Sequence, residues 1–165
     1  MITLQQIQDA HKKILPYVNY TPLVQSQYLS KNSKVKLKLE NFQITGSFKL
    51  RGAVNKLLSL SEREKQQGVI AVSTGNHGKG VAYASKVLGI KSTIYMSSMV
   101  PNYRKEAIEN LGAKVEIVGK NSDEADLFAK QLSKEKNITL IHPFDDEDII
   151  IGQGTVGLEM LEQFP

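Results

Sequence analysis

Near the amino terminus, Ile7, Ala10, Ile14 and Leu15 recur at helical spacing behind a capping Thr3, and Pro16 is expected to end that helix. An extended TPLV follows. Residues 35–39, VKLKL, alternate apolar and charged, the period of a half-exposed strand, which predicts that Lys36 and Lys38 face water. After Gly46 the period becomes helical again, with Leu50, Val54, Leu57 and Leu58 three and four apart. From residue 68 the chain alternates regularly. GVIAVST, KSTIYMS, AKVEIVG and ITLIHPF read as strands, and GNHGKGVAYASKVLG, PNYRKEAIENLG and NSDEADLFAKQLSKEKN read as the helices between them. Strands joined through helices need crossover connections, so the chain reads as an α/β protein with a parallel sheet and helices on its faces. Gly89 and Gly112 each end a helix where a positive φ is wanted.

The 165 residues and 41% hydrophobic content suffice for a packed globule of ordinary domain size. A formal net charge of +4 and 23% charged residues indicate neither disorder nor a polyanion-binding tail. The pI near 9.2 would be the only argument for nucleic acid, but the basic residues are dispersed among acidic ones and form no stripe with aromatics. The absence of cysteine excludes disulfide frameworks, thiolate nucleophiles, zinc fingers and iron–sulfur clusters together. No apolar run reaches membrane-spanning length and no signal-like segment opens the chain, so a cytoplasmic, membrane-free protein is expected. The cluster Asp145, Asp146, Glu147, Asp148 reads as carboxylates gathered at a helix N-terminus, with no metal site expected. The helix GTVGLEMLEQ then runs to Phe164 and Pro165, where the alternation calls for another strand.

Two segments break the ordinary punctuation. In Thr45-Gly46-Ser47-Phe48-Lys49-Leu50-Arg51-Gly52 a lysine stands one turn into a helix, near the positive end of the dipole, where a cation is disfavoured. With an aromatic neighbour excluding water and Arg51 adding positive field, the neutral amine would be favoured, and Lys49 could act as nucleophile or base. A lysine that snorkels to solvent is the plainer reading of the same pattern. The second segment is Ser73-Thr74-Gly75-Asn76-His77-Gly78, at the carboxyl edge of the sheet, where open α/β sheets bind ligands. Its hydroxyls, amide and free backbone N–H groups suit a carboxylate or phosphate, or merely cap the helix. It fits neither dinucleotide nor Walker spacing. Tyr103 and Arg104, after Pro101, either line this edge or only cover it. His142 reads as a turn residue, and His77 has no acid partner in sequence that would support a hydrolase triad.

GSFKLRGA, STGNHGKGVA, and HPFDD followed by GQGT, in this order and spacing, together with TPL at Thr21–Leu23 and LKLEN at Leu37–Asn41, resemble the fold-type II pyridoxal phosphate enzymes of the threonine dehydratase and serine racemase family. The resemblance covers nearly the whole chain. It implies the tryptophan synthase β-like fold, pyridoxal 5'-phosphate as cofactor, and Lys49 as the amine of the internal Schiff base. By the same resemblance Phe48 lies against the pyridine ring, Asn76 hydrogen-bonds the ring hydroxyl, and Ser73, Thr74, Gly75, Asn76 and His77 form the loop that grips the substrate carboxylate. Thr74 stands where dehydratases commonly carry alanine and racemases serine, and its hydroxyl could hand a proton to the opposite face. The STGNHG loop and YMSSMVPNYRKEAIENLGAKVEIVG are most similar to the hydroxyectoine-utilization branch of dehydratases.

The implied activity is α,β-elimination on a small hydroxy amino acid such as L-threonine or L-serine, giving a 2-keto acid and ammonia. The alternatives are a racemase of the same family and a non-catalytic anion-binding module. Family members run to about twice this length, so the resemblance assigns residues 1–60 and 141–165 to a large domain and 61–140 to a small mobile one. The phosphate loop and the partner of the pyridine nitrogen would then lie outside this chain, which alone is expected to hold the cofactor poorly and catalyse weakly or not at all. A homodimer is the assembly that family implies for a full-length form.

Overall fold

The first helix, α1 (Leu4–Ile14), opens on a reciprocal cap: Gln6 N donates to Thr3 Oγ1 (3.3 Å) and Thr3 N donates to Gln6 Oε1 (2.8 Å). Pro16 does not stop the chain's turning at once. It is accommodated in a 3₁₀ turn, Leu15–Tyr17, whose first positions need no N–H. That turn takes Leu15 off the apolar face; Ala10 and Ile14 are buried, whereas Leu15 is 44% exposed. The computed structural model describes residues 1–31 and 33–164.

Strands β1 (Leu23–Gln25) and β2 (Lys36–Lys38) form a small antiparallel pair, Val24 opposite Leu37. The alternation in VKLKL is real, but its sides are reversed from the expectation. Leu37 is 38% exposed, while the Lys38 side chain is only 5% exposed and Lys36 Nζ lies 3.4 Å from the centroid of the Phe164 ring. The period could not show that the end of the last helix would cover the lysine side.

Helix α2 (Lys49–Ser59) buries Leu50, Ala53, Val54 and Leu57. A short helix that apolar spacing did not reveal, α3 (Glu62–Gln67), follows; it has no buried residue and is set by a Ser61–Glu64 capping box. Next come β3 (Val69–Val72), α4 (Asn76–Val87), β4 (Ser92–Met96), α5 (Asn102–Glu109), β5 (Lys114–Ile117), α6 (Ser122–Lys136), β6 (Thr139–Leu140) and α7 (Glu147–Gln163). The strands form a parallel sheet in the order β5-β4-β3-β6, with Val69 opposite both Ser92 and Thr139. The last strand is shorter than ITLIHPF suggested, because Ile141 N donates one more ladder bond to Ile70 O (2.8 Å) and the chain then turns at Pro143. Gly89 and Gly112 have φ of 68° and 101°, as helix-terminating glycines should.

Alternate residues of the central strands face two packing layers. Val69, Ala71, Ile94 and Met96 join the main core with Leu50, Val54, Leu57, Val81 and Ile149; Ile70 and Tyr95 turn to a smaller cluster with Ala129 of α6. Helices α1, α2 and α7 pack on one another, and α4 packs on α2. Asp146 caps α7, its Oδ1 accepting from Ile149 N (3.1 Å), and Lys56 pairs with both Asp146 (2.8 Å) and Asp148 (3.2 Å), so these carboxylates serve the helix start as expected. No described helix is long and apolar enough to cross a membrane.

Candidate active site at the carboxyl edge of the sheet

Three chain segments that lie far apart in sequence meet where β3 and β6 end. The start of α2 is brought against α4 at Gly80, where a Cβ would stand 3.2 Å from the Lys49 carbonyl carbon and oxygen and from Leu50 N. The backbones can approach this closely only because that side chain is missing. Helix α2 crosses α7 in the same way, for a Cβ on Gly152 would fall 2.7 Å from Arg51 O and Gly52 Cα.

Lys49 is the first residue of α2, earlier than one turn in, and its Nζ donates to the carbonyl of Pro143 (2.7 Å) just past β6. The amine is half-buried, and that burial holds it below the ordinary lysine range by disfavouring the charged form. The Phe48 ring, 41% exposed, has its centroid 5.3 Å from Nζ. The Pro143 bond gives Lys49 a fixed backbone partner, which a lysine merely snorkelling to solvent does not need.

Arg51 does not contribute the positive field expected of it. It is fully buried, and its guanidinium donates to Glu40 Oε1 and Oε2 (2.8 and 2.9 Å), Glu159 Oε1 and Oε2 (2.6 and 2.9 Å), Thr155 Oγ1 (3.3 Å) and Asn19 O (3.2 Å). Burial alone would lower its proton affinity, but the bonds and charge of Glu40 and Glu159 outweigh it and hold it above the ordinary value. Lys38 completes the cluster, donating to Glu159 Oε2, to Thr21 O (2.6 Å) and to Gln163 Oε1 (2.9 Å). Two cations and two carboxylates therefore cancel beneath α2. Sequence reading missed this cluster; the one local hint was Thr155 and Glu159 four apart on a single helix face.

The β3–α4 turn is shaped by Ser73, whose Oγ accepts from Gly75 N (3.2 Å) and Gly78 N (2.9 Å). Among the described residues nothing accepts from the backbone N–H groups of Thr74, Asn76 or His77, so three donors remain open at the positive end of α4. Beside them lies a cleft of about 360 Å³ whose walls include Thr74, Gly75, Asn76, Lys79, Tyr103 and Arg104. Tyr103 and Arg104 thus line this edge. The His77 side chain is not in that cleft: it is 4% exposed, and its Nε2 lies 3.0 Å from Ile141 O. Burial, together with the positive charges of Lys49 and His142 and against the Ile141 bond, pushes its pKa down to about 4, so it is neutral at physiological pH. His142 is a turn residue, its Nδ1 accepting from Phe144 N (3.3 Å) and Asp145 N (2.7 Å).

The α/β sheet thus brings together at one strand edge an amine made easier to deprotonate, an adjacent aromatic face and an open set of N–H donors. A family model described as pyridoxal-phosphate dependent enzyme matches residues 14–165, and the chain belongs to that family. It is 46% identical over 165 residues to the catabolic L-threonine dehydratase TdcB of Staphylococcus aureus (strain USA300), covering 98% of this chain and 48% of the relative. The chain spans about half the length of the curated relatives it matches. Among solved structures, serine racemase from Dictyostelium discoideum superposes with a TM-score of 0.90 at 39% identity, covering 98% of this chain and 53% of that one. The T.th. threonine deaminase does so with a TM-score of 0.89 at 43% identity, covering 98% and 52%.

The residues present fit pyridoxal phosphate. Lys49 offers a half-buried amine to an aldehyde, Phe48 an accessible ring face and Asn76 an exposed amide at the helix start.

Proposed function

We propose that this chain carries the lysine side of a site for α,β-elimination on a small hydroxy amino acid such as L-threonine or L-serine, releasing a 2-keto acid and ammonia. Pyridoxal phosphate, when bound, supplies an aldehyde that captures amines and a ring that delocalises the electron pair left on the substrate's α-carbon. Lys49 would hold the cofactor through Nζ, with Phe48 against the ring and Asn76 at the ring hydroxyl. Once displaced, the Lys49 amine is the group to take the α-proton, since burial favours its neutral form. The open N–H groups of Thr74, Asn76 and His77 would bind the substrate carboxylate and keep the labile bond aligned, with Ser73 and Gly75 shaping the turn.

The observation that carries this reading is the Lys49 Nζ to Pro143 O bond, which keeps a lowered-affinity amine at the same strand edge as the open donors. The name of the dehydratase relative supports the reaction type. We further infer that residues 61–140 form the smaller, mobile unit and that 1–60 with 141–165 belong to the larger one, within which α1, α2 and α7 pack on one another, while α2 also packs on α4 across the division. Thr74 favours a second reading, racemisation, because it lines the cleft and carries a hydroxyl, and serine racemases are among the similar structures.

The test is to mix the protein with pyridoxal phosphate, reduce with borohydride and locate any pyridoxyl group by peptide mass. Labelling confined to Lys49 and lost in Lys49→Ala is expected; labelling spread over surface lysines, unchanged in Lys49→Ala, would end the proposal. In a chain extended to the relatives' length, Thr74→Ala separates the two reactions. It should leave keto-acid release within about threefold while abolishing racemisation, if any is present.

A further inference from the structure

Beside the Lys49 amine, His77 is a buried titratable side chain for which the proposed chemistry has no use. Its ring is 4% exposed, its Nε2 bonds the Ile141 carbonyl at 3.0 Å, and its Nδ1 is buried with no partner among the described residues. A carbonyl only accepts, so the hydrogen sits on Nε2. Two residues beyond Ile141, the Pro143 carbonyl accepts from Lys49 Nζ at 2.7 Å. The first turns of α4 and α2 therefore hold the same three-residue stretch, 141–143, through one side chain each.

The Ile141 side chain is fully buried in the main core, but among the described residues the Ile141 and Pro143 carbonyls accept from no other group. Ile141 N makes the last ladder bond to Ile70 O, and Pro143 has no N–H to offer. His142 Nδ1 accepts from Phe144 N and Asp145 N, closing a turn across Pro143 that leaves the Ile141 and Pro143 carbonyls to their side-chain partners. On the near side, the His77 bond ties the Ile141 carbonyl, two residues before the carbonyl that receives Lys49.

We propose that His77 is a positioning residue for Lys49: by donating from Nε2 to the Ile141 carbonyl it fixes residues 141–143 so that the Pro143 carbonyl holds the lysine amine in one place beside the start of α4. The inference rests on the reading of Lys49 as the reactive amine. The arrangement also requires a neutral imidazole. The charged groups facing His77 are Lys49 from α2 and His142 from the β6 exit, both cationic when protonated, and a second proton at Nδ1 would be a buried donor without an acceptor. A neutral His77 ties down the segment without adding positive charge beside the lysine.

The test measures Lys49 directly by competitive acetylation with acetic anhydride across neutral to alkaline pH, in the whole chain, with each lysine read by peptide mass. In the unmutated chain Lys49 should titrate below the exposed lysines. His77→Leu, which keeps volume and removes the donor, should raise its proton affinity about tenfold toward theirs as the amine reaches water. His77→Gln, whose side-chain nitrogen can still donate to Ile141, should stay within about twofold of the unmutated value. Coincident curves for His77→Leu and the unmutated chain overturn the proposal, as does a His77→Gln curve shifted as far as that of His77→Leu, which would indicate packing alone. Nitrogen NMR of the unmutated chain gives a readout that survives any loss of fold in the variants: an Nε2–H tautomer supports the proposal and an Nδ1–H tautomer overturns it. Pyridoxal phosphate trapping on the same samples separates the two readings, because failure to label Lys49 removes the proposed function while the acetylation curves still decide the geometry.

Discussion

Replacing Arg51 with methionine removes one partner from a buried four-charge cluster and leaves the other three in place. Glu159 keeps the Lys38 ammonium, and Glu40 keeps the Thr21 hydroxyl, but both lose their guanidinium bonds. Breaking a buried ion pair from one side costs about 3–5 kcal/mol, because the remaining charge stays desolvated. Since each carboxylate retains a partner, the low end, about 3 kcal/mol, is the expected loss. For a chain of this size that corresponds to a drop of about 6–12 °C in Tm.

The loss should also depend on pH, with a definite sign. Burial tends to raise the Glu40 carboxyl, but bonds from Arg51 and Thr21 and the charges of Arg51 and Lys38 outweigh it and hold it below its ordinary value. A carboxylate lowered on folding adds stability above its unfolded pKa and loses it as pH falls through the folded one. Without Arg51 the burial effect dominates, Glu40 moves up, and protonation then relieves the variant. The gap between Arg51→Met and the unmutated chain should therefore be widest near neutrality and narrow as pH falls toward about 4. Urea unfolding followed by circular dichroism at a series of pH values measures both effects. A loss under about 1 kcal/mol at neutral pH, or a gap that widens on acidification, would refute the account of the cluster as a buried, mutually dependent set.

Three further outcomes follow from named contacts. His77, with a folded pKa near 4 against an ordinary 6.5, contributes stability that is complete above 6.5 and lost as pH falls to about 4, at most about 3 kcal/mol; His77→Gln should flatten that part of the unfolding profile. Gly152→Ala would drive a Cβ to 2.7 Å from Arg51 O and Gly52 Cα, backbone atoms that cannot step aside, so a loss of about 1–3 kcal/mol is expected in the same urea assay. Phe48→Ala should leave stability within about 0.5 kcal/mol, since the ring is 41% exposed, while reducing the yield of borohydride-trapped pyridoxyl at Lys49.

The alternation of β3 to β6 with their helices was legible because period-2 and period-3.6 patterns are local and the punctuating glycines have one conformational job. The parts that were not legible depended on distant partners. VKLKL announces a strand but not its covered side, which is decided by Glu159 on α7, 121 residues from Lys38. Helix α3 buries nothing, so its apolar pattern is silent and only the Ser61–Glu64 cap could have marked it. Of the site, Lys49 and the STGNHG turn stood out as local inconsistencies, whereas the acceptor for the lysine is the backbone of Pro143, and a carbonyl has no residue signature.

The same distance effect explains how one helix start can carry both Lys49 and Arg51. Both are cations in the first turn of α2, where the dipole disfavours positive charge, and a helix of this kind in isolation would gain nothing by having either. The fold treats them oppositely. Arg51 is sent inward to Glu40 and Glu159, carboxylates brought from before α2 and from α7, and its charge is cancelled at close range. Among the described residues Lys49 receives no carboxylate, only a neutral carbonyl and partial burial. Because a carbonyl can accept a hydrogen bond without supplying negative charge, the lysine is held in place while its proton remains easy to remove. Had the cluster beneath α2 supplied a carboxylate to Lys49 instead, the amine would be equally well anchored but locked in its charged form, unable to attack an aldehyde or accept an α-proton. In the proposed function the buried ion cluster thus matters by what it withholds: it pairs Glu40 and Glu159 with Arg51 and Lys38 and leaves Lys49 with a partner that fixes its position and not its charge.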